Sequence, residues 1–92
     1  MSDSETVLSW VNGVTGKTIQ RTIGGHMYSS DQQDSITALE AGNIVCLTQY
    51  RDIAFVTSYT ARAENMAIHD EMIIYPNGRI IIVKDIRHEM PF

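Results

Sequence analysis

The side chains of this sequence that could bind a metal ion are three histidines and one cysteine: His26, Cys46, His69 and His88. Zinc sites usually include ligands at short spacing, as in C-x-x-C or H-x-x-x-H, and none of these four residues has a partner at such a distance. We therefore expect no metal ion and no cofactor. We interpret the histidines as surface groups and the cysteine as a buried thiol.

A catalytic nucleophile needs an activating base, and the sequence has no pattern of this kind. The serines lack the G-x-S-x-G nucleophile elbow. Cys46 lies within the apolar run 44–47, and apolar surroundings keep a thiol protonated and unreactive. His69, Asp70 and Glu71 form the one polar cluster with an acid–base character, which we interpret as a solvated loop or strand start. We expect that the protein is not an enzyme.

Charge is the remaining functional signal. Eleven acidic and seven basic residues give a formal net charge of −4. The basic residues are scattered, whereas binding to duplex DNA draws on clusters of lysine and arginine, so we expect no direct binding to duplex DNA. A negative field favours a partner with a basic surface. The acids in polar stretches are the candidate partner-binding residues: Asp31, Asp34, Glu40, Asp52, Glu64, Asp70 and Glu71.

Aromatic side chains are the second kind of candidate contact, because large amphipathic rings are enriched at binding hot spots. Tyr28, Tyr50 and Tyr59 are the candidates, while Trp10 and Tyr75 are assigned to the core.

One helix must position several of these acids. Ser30 and Gln33 fit a capping box, Asp31 and Asp34 would complement the helix dipole in the first turn, and Gly42 is placed to end the helix. The pattern predicts a helix over residues 31–41.

The rest of the chain is typical of strands joined by hairpins. The predicted strands are Thr6–Val11, Thr18–Ile23, Asn43–Tyr50, Ile53–Tyr59, Met72–Tyr75 and Arg79–Lys84. The turn signals are Asn12-Gly13, Arg51-Asp52 and Pro76-Asn77-Gly78, with Gly78 at positive φ. The order β-β-α-β-β-β-β predicts an α+β fold: an antiparallel, strongly twisted sheet of five to six strands, with one helix packed on it.

The last hairpin is apolar on both faces and therefore needs cover on both. We expect the helix on one face and the first hairpin on the other, packed through Val7, Trp10, Ile19 and Ile23. This arrangement predicts a monomer in the free state.

Length and composition predict a single domain over residues 1–92. The polar, acidic first residues do not resemble a signal peptide, and no apolar run approaches the roughly 20 residues that span a bilayer. With one cysteine, no disulfide can form within the chain. We expect a cytoplasmic protein that does not bind a membrane.

In size, mild acidity and organisation, the whole chain resembles the small phage-encoded anti-CRISPR proteins that bind the type I-F surveillance complex. The resemblance implies a stoichiometric inhibitor in the host cytoplasm, bound to effector subunits or near the guide RNA, that prevents target DNA from being bound or cut. It carries over no functional residue. The moderate charge favours wedging against protein subunits over mimicry of DNA.

Two other functions fit the same features. One is a structural or accessory phage-type subunit that self-associates through its sheet. The other is a small ligand-binding or enzymatic barrel that uses His69 and Asp70.

Overall fold

A computed structural model describes residues 4–60 and 71–83. Its elements, in chain order, are β1 (Glu5–Val11), β2 (Thr18–Gly24), α1 (Ser29–Glu40), β3 (Val45–Tyr50), β4 (Ile53–Ser58), β5 (Glu71–Ile74) and β6 (Ile80–Val83). The predicted α+β class and element order are confirmed. The strands form two antiparallel sheets, a two-stranded β1–β2 sheet and a four-stranded sheet of order β4-β3-β5-β6.

The helix begins earlier than predicted and without the predicted cap. Tyr28 is the N-cap residue, in an extended conformation, and makes no side-chain capping hydrogen bond. Ser30 is therefore inside the helix, and Asp31 is the acid of the first turn, whereas Asp34 is one turn further on. The capping-box prediction was wrong because the helix already begins at Ser29, so Ser30 cannot be its N-cap residue.

The end of the helix follows the prediction. Gly42 has φ 89° and donates its N–H to the Leu39 carbonyl oxygen at 3.1 Å. The Asn43 N–H donates to the Ala38 carbonyl oxygen at 2.8 Å. This pair of bonds is the Schellman motif, in which glycine adopts the left-handed conformation at little cost.

Helix and first hairpin share one core against one face of the four-stranded sheet. Buried residues of this core are Leu8, Trp10, Ile23, Met27, Leu39, Val45, Leu47, Ala54 and Ile74. The prediction that the first hairpin covers the opposite face was therefore wrong. Strand alternation also places Leu8 rather than Val7 in the core, and Val7 is 46% exposed.

The opposite face of the four-stranded sheet carries a second apolar cluster. Its buried members are Cys46, Ile73 and Val83. Cys46 is fully buried, as predicted.

The predicted turn at 76–78 connects β5 to β6 and also binds side chains of the first hairpin. Gly78 has φ 93°, as expected, and its N–H donates to the Tyr75 carbonyl oxygen at 2.9 Å. From the first hairpin, Trp10 Nε1 donates to the Pro76 carbonyl oxygen at 2.8 Å, and Arg21 Nε donates to the Gly78 carbonyl oxygen at 2.8 Å. These bonds fix the first hairpin against the last one.

Among the described residues, no helix has the length and apolar character needed to cross a membrane.

Candidate partner-binding surface

Two of the candidate acids connect the helix to the two sheets through hydrogen bonds. Asp31 Oδ2 accepts a hydrogen bond from the Val56 N–H of β4 at 3.1 Å, and Glu40 Oε2 accepts one from the Val11 N–H of β1 at 3.2 Å. Gln32 Nε2 donates to the Val7 carbonyl oxygen at 3.1 Å. Unpaired polar groups at strand edges are costly or prone to pair with other chains, so helix side chains satisfy them here. Asp31 and Glu40 are thus structural residues.

Glu71 is not part of an open acidic surface. It is only 4% exposed, and its Oε2 accepts a hydrogen bond from the Thr57 hydroxyl at 3.0 Å. The same hydroxyl lies 3.2 Å from the Cys46 carbonyl oxygen. The interpretation of this residue as a solvated strand start was wrong, because the side chain is buried and binds Thr57 of β4, on the far side of β3.

Asp34 and Asp52 are different, since both are exposed. Neither side chain makes a hydrogen bond or an ion pair within the described part of the chain. They lie on the helix and in the β3–β4 turn, respectively. Glu64 and Asp70, and also His69, lie outside the described residues.

Asp34 lies at one end of a groove with a volume of about 320 Å³. One wall is a stripe of α1 at helical spacing i, i+3, i+4, i+7, and the other includes the residue after β4. We call it the Asp34–Tyr59 groove; its described lining residues are Asp34, Thr37, Ala38, Ala41, Asn43 and Tyr59.

The helix wall of the groove and Asn43 are held in place by the fold. The stripe is fixed because the opposite side of the helix buries Ser35 and Leu39 in the core. Asn43 follows the helix-ending Gly42, and its backbone is held by the bond to Ala38. This wall is therefore part of the folded scaffold.

The pKa of the Tyr59 hydroxyl group is affected by the nearby acids. Tyr59 is 40% exposed, and the pKa of its hydroxyl is raised from the ordinary value of about 10, first by burial and then by the negative charges of Asp34 and Asp31. The smaller, electrostatic part of this pKa shift indicates that the charges of Asp34 and Asp31 reach the Tyr59 hydroxyl.

Two of the predicted aromatic contacts are exposed outside the groove: Tyr28 is 58% exposed and Tyr50 is 63% exposed. Trp10 is buried, as predicted. The sequence analysis did not identify Thr37 or Asn43. The helical spacing of small and polar residues at 34, 37, 38 and 41 was the signal that could have found this surface.

Within residues 4–60 and 71–83, no group of three or more His, Cys, Asp or Glu side chains could hold a metal ion. Cys46 is buried and His26 is exposed, on different parts of the fold.

No protein-family model, no curated protein and no solved structure matches this chain. A function for it must therefore come from its own residues.

Proposed function

We propose that this protein is a non-enzymatic inhibitor that binds a basic surface of a host nucleoprotein defence complex, in the manner of the type I-F anti-CRISPR proteins, and so blocks target DNA binding or cleavage. It would act in the host cytoplasm, as a monomer when free.

The observation that supports the proposal is a pair of exposed acids that make no ion pair within residues 4–60 and 71–83. Asp34 and Asp52 face solvent, and neither is neutralised by a described basic side chain. The net charge of −4 adds a negative field over the whole molecule. Such a field steers association with a basic partner and raises its rate.

The distribution of the acids favours contact with protein over mimicry of DNA. Duplex DNA presents one phosphate charge per 1.7 Å or so of helix axis. Among the acids that the structure describes, Asp31, Glu40 and Glu71 accept hydrogen bonds within the fold, which leaves Glu5, Asp34 and Asp52 for such a row. A groove with one carboxylate and one aromatic wall suits side chains of a protein surface better.

The test uses the purified type I-F surveillance complex and a labelled target duplex. We expect the protein to co-migrate with the complex in size-exclusion chromatography. We also expect it to abolish either the DNA gel shift or target cleavage at a stoichiometric ratio. A complex that neither retains the protein nor loses activity when the protein is in excess contradicts the proposal.

A second candidate function, self-association through the sheet, has one observation in its favour. Ile82 is 65% exposed and belongs to β6, which lies at one end of the order of the four-stranded sheet. Exposed apolar edge strands pair readily with other strands. Sedimentation velocity at micromolar concentration separates the two functions: we expect a monomer, and a stable dimer favours the structural subunit.

A further inference from the structure

We propose that the Asp34–Tyr59 groove binds the side chain of a single arginine on the partner protein. The identity of the partner rests on the proposed function, whereas the chemistry of the groove does not.

Charge is the first argument. Asp34 lines the groove, and its carboxylate has no hydrogen bond or ion pair within the described residues. The negative charges of Asp34 and Asp31 also act on Tyr59 in the opposite wall. A cation that entered this open groove would therefore meet a carboxylate that is paired with no described side chain.

Size is the second argument. Pockets for drug-sized ligands start at roughly 300 Å³. At about 320 Å³ this groove accepts one long side chain and is too small for a helix or a strand. Ala38 and Ala41 offer apolar surface for the methylene groups of such a side chain, while its charged end reaches Asp34.

Two tyrosines of this chain already make cation–π contacts with arginines of the same chain. Arg51 Cζ lies 5.4 Å from the ring centroid of Tyr50, and Arg79 Cζ lies 5.8 Å from that of Tyr75. Both distances are within the ~6 Å range of a cation–π contact. In the described part of the chain, no cation lies over Tyr59. The described residues therefore leave the Tyr59 ring without the contact that Tyr50 and Tyr75 have.

Arginine fits these walls better than lysine. A guanidinium group can bind a carboxylate through two parallel hydrogen bonds and stack on an aromatic face at the same time. Asn43 adds an amide oxygen that can accept a further N–H. A lysine ammonium is a compact charge that gains less from a flat ring and a forked acceptor.

The test needs only the isolated protein and three short capped peptides, Gly-Arg-Gly, Gly-Lys-Gly and Gly-citrulline-Gly. Citrulline has nearly the shape of arginine without its charge. Binding is followed through the backbone amide signals of Thr37, Ala38 and Asn43 in NMR titrations. We expect millimolar binding of the arginine peptide, with the lysine peptide several-fold weaker and no saturable binding of the citrulline peptide.

Matched variants assign the contacts. Asp34→Asn keeps the shape of the side chain and should weaken arginine binding about ten-fold or more, since hydrogen bonds to charged groups are the strong ones. Tyr59→Phe keeps the ring and should bind nearly as well, whereas Tyr59→Ala should not. Asp52→Asn removes an equally exposed acid outside the groove and should leave binding unchanged.

Equal binding of arginine and citrulline peptides, or equal loss in the Asp34 and Asp52 variants, overturns the inference. Equal binding of arginine and lysine overturns the assignment to arginine. These outcomes do not depend on the surveillance complex. If the protein binds the arginine peptide but not that complex, the arginine site in the groove is supported and the proposed function is contradicted.

Discussion

Adding a single carbon atom at Gly78 should reveal how closely the first hairpin packs on the last one. Gly78 has φ 93°. A Cβ atom there would lie 2.5 Å from Arg21 Nη2 and 2.9 Å from Ile19 Cγ2, both below the distances that real Cβ atoms show. The Gly78 carbonyl oxygen also accepts the hydrogen bond from Arg21 Nε at 2.8 Å.

Three effects determine how much Gly78→Ala lowers the free energy of unfolding. Positive φ costs a non-glycine residue about 1–2 kcal/mol. Arg21 can swing away, but this gives up a hydrogen bond worth about 1 kcal/mol. Ile19 is β-branched and stiff, so β2 must shift, and overpacking of this kind costs about 1–3 kcal/mol. We therefore expect a loss of about 3–6 kcal/mol in the free energy of unfolding.

Gly16→Ala is the matched control. Gly16 has φ 74°, and nothing lies within 4 Å of its Cβ position, so only the cost of positive φ, about 1–2 kcal/mol, applies. Urea unfolding followed by circular dichroism gives both free energies. Trp10 fluorescence adds a local probe, because Trp10 donates to Pro76 in the same turn.

The thermal midpoints should differ accordingly, at about 4–8 °C per kcal/mol for a domain of this size. If the two alanine variants lose the same stability, the hairpins do not meet at Gly78 and the reasoning is refuted. If Gly78→Ala does not fold, Arg21→Ala tests the same junction, with an expected loss of about 1 kcal/mol from the missing bond.

Three further predictions concern single side chains. Cys46 should resist an aromatic disulfide reagent until denaturant is added, since it is fully buried; fast labelling of the native protein contradicts this. Asp31→Ala should cost about 1–3 kcal/mol, because the Val56 N–H loses its acceptor, while Asp34→Ala should stay within about 0.5 kcal/mol; equal urea midpoints contradict this. Because folding raises the pKa of Tyr59, its contribution to stability is full below the unfolded pKa and is lost as the pH rises through the folded value. Asp34→Asn should lower that pKa in a phenolate absorbance titration, and an unchanged titration contradicts the assigned cause.

Turn chemistry made much of the fold predictable. Gly42 and Gly78 both adopt the positive φ that their positions required. The turn at Arg51 also forms as predicted, with Tyr50 paired to Ile53, although Arg51 itself takes φ 58° without being glycine. These features depend on a few adjacent residues, so a single sequence contains the information that specifies them.

The division into two sheets was not predictable in this way. It depends on helix side chains that bind strands 25 to 29 residues away in sequence, such as Gln32 to Val7 and Glu40 to Val11. The apolar pattern of the last hairpin requires cover on both faces but does not state which element supplies it. Tertiary contacts of this kind override local patterns.

The candidate site was predictable in part. Asp34 and Asp52 are exposed, as their polar surroundings suggested. Glu71 is buried because its strand turns it toward Thr57, and residue type alone carries no sign of that. The groove itself combines the helix stripe with Tyr59, a long-range arrangement that only the fold defines.

In the proposed function, exposed acids bind this protein to a basic surface of a host complex. The most direct test of this proposal is the affinity of the wild type and of the Asp34→Lys/Asp52→Lys variant for the type I-F surveillance complex at low and high salt. We expect the wild type to bind more weakly as salt rises, and the charge-reversed variant, with an unchanged circular dichroism spectrum, to bind about ten-fold more weakly at low salt. Equal affinities of the two proteins at both salt concentrations would contradict the claim.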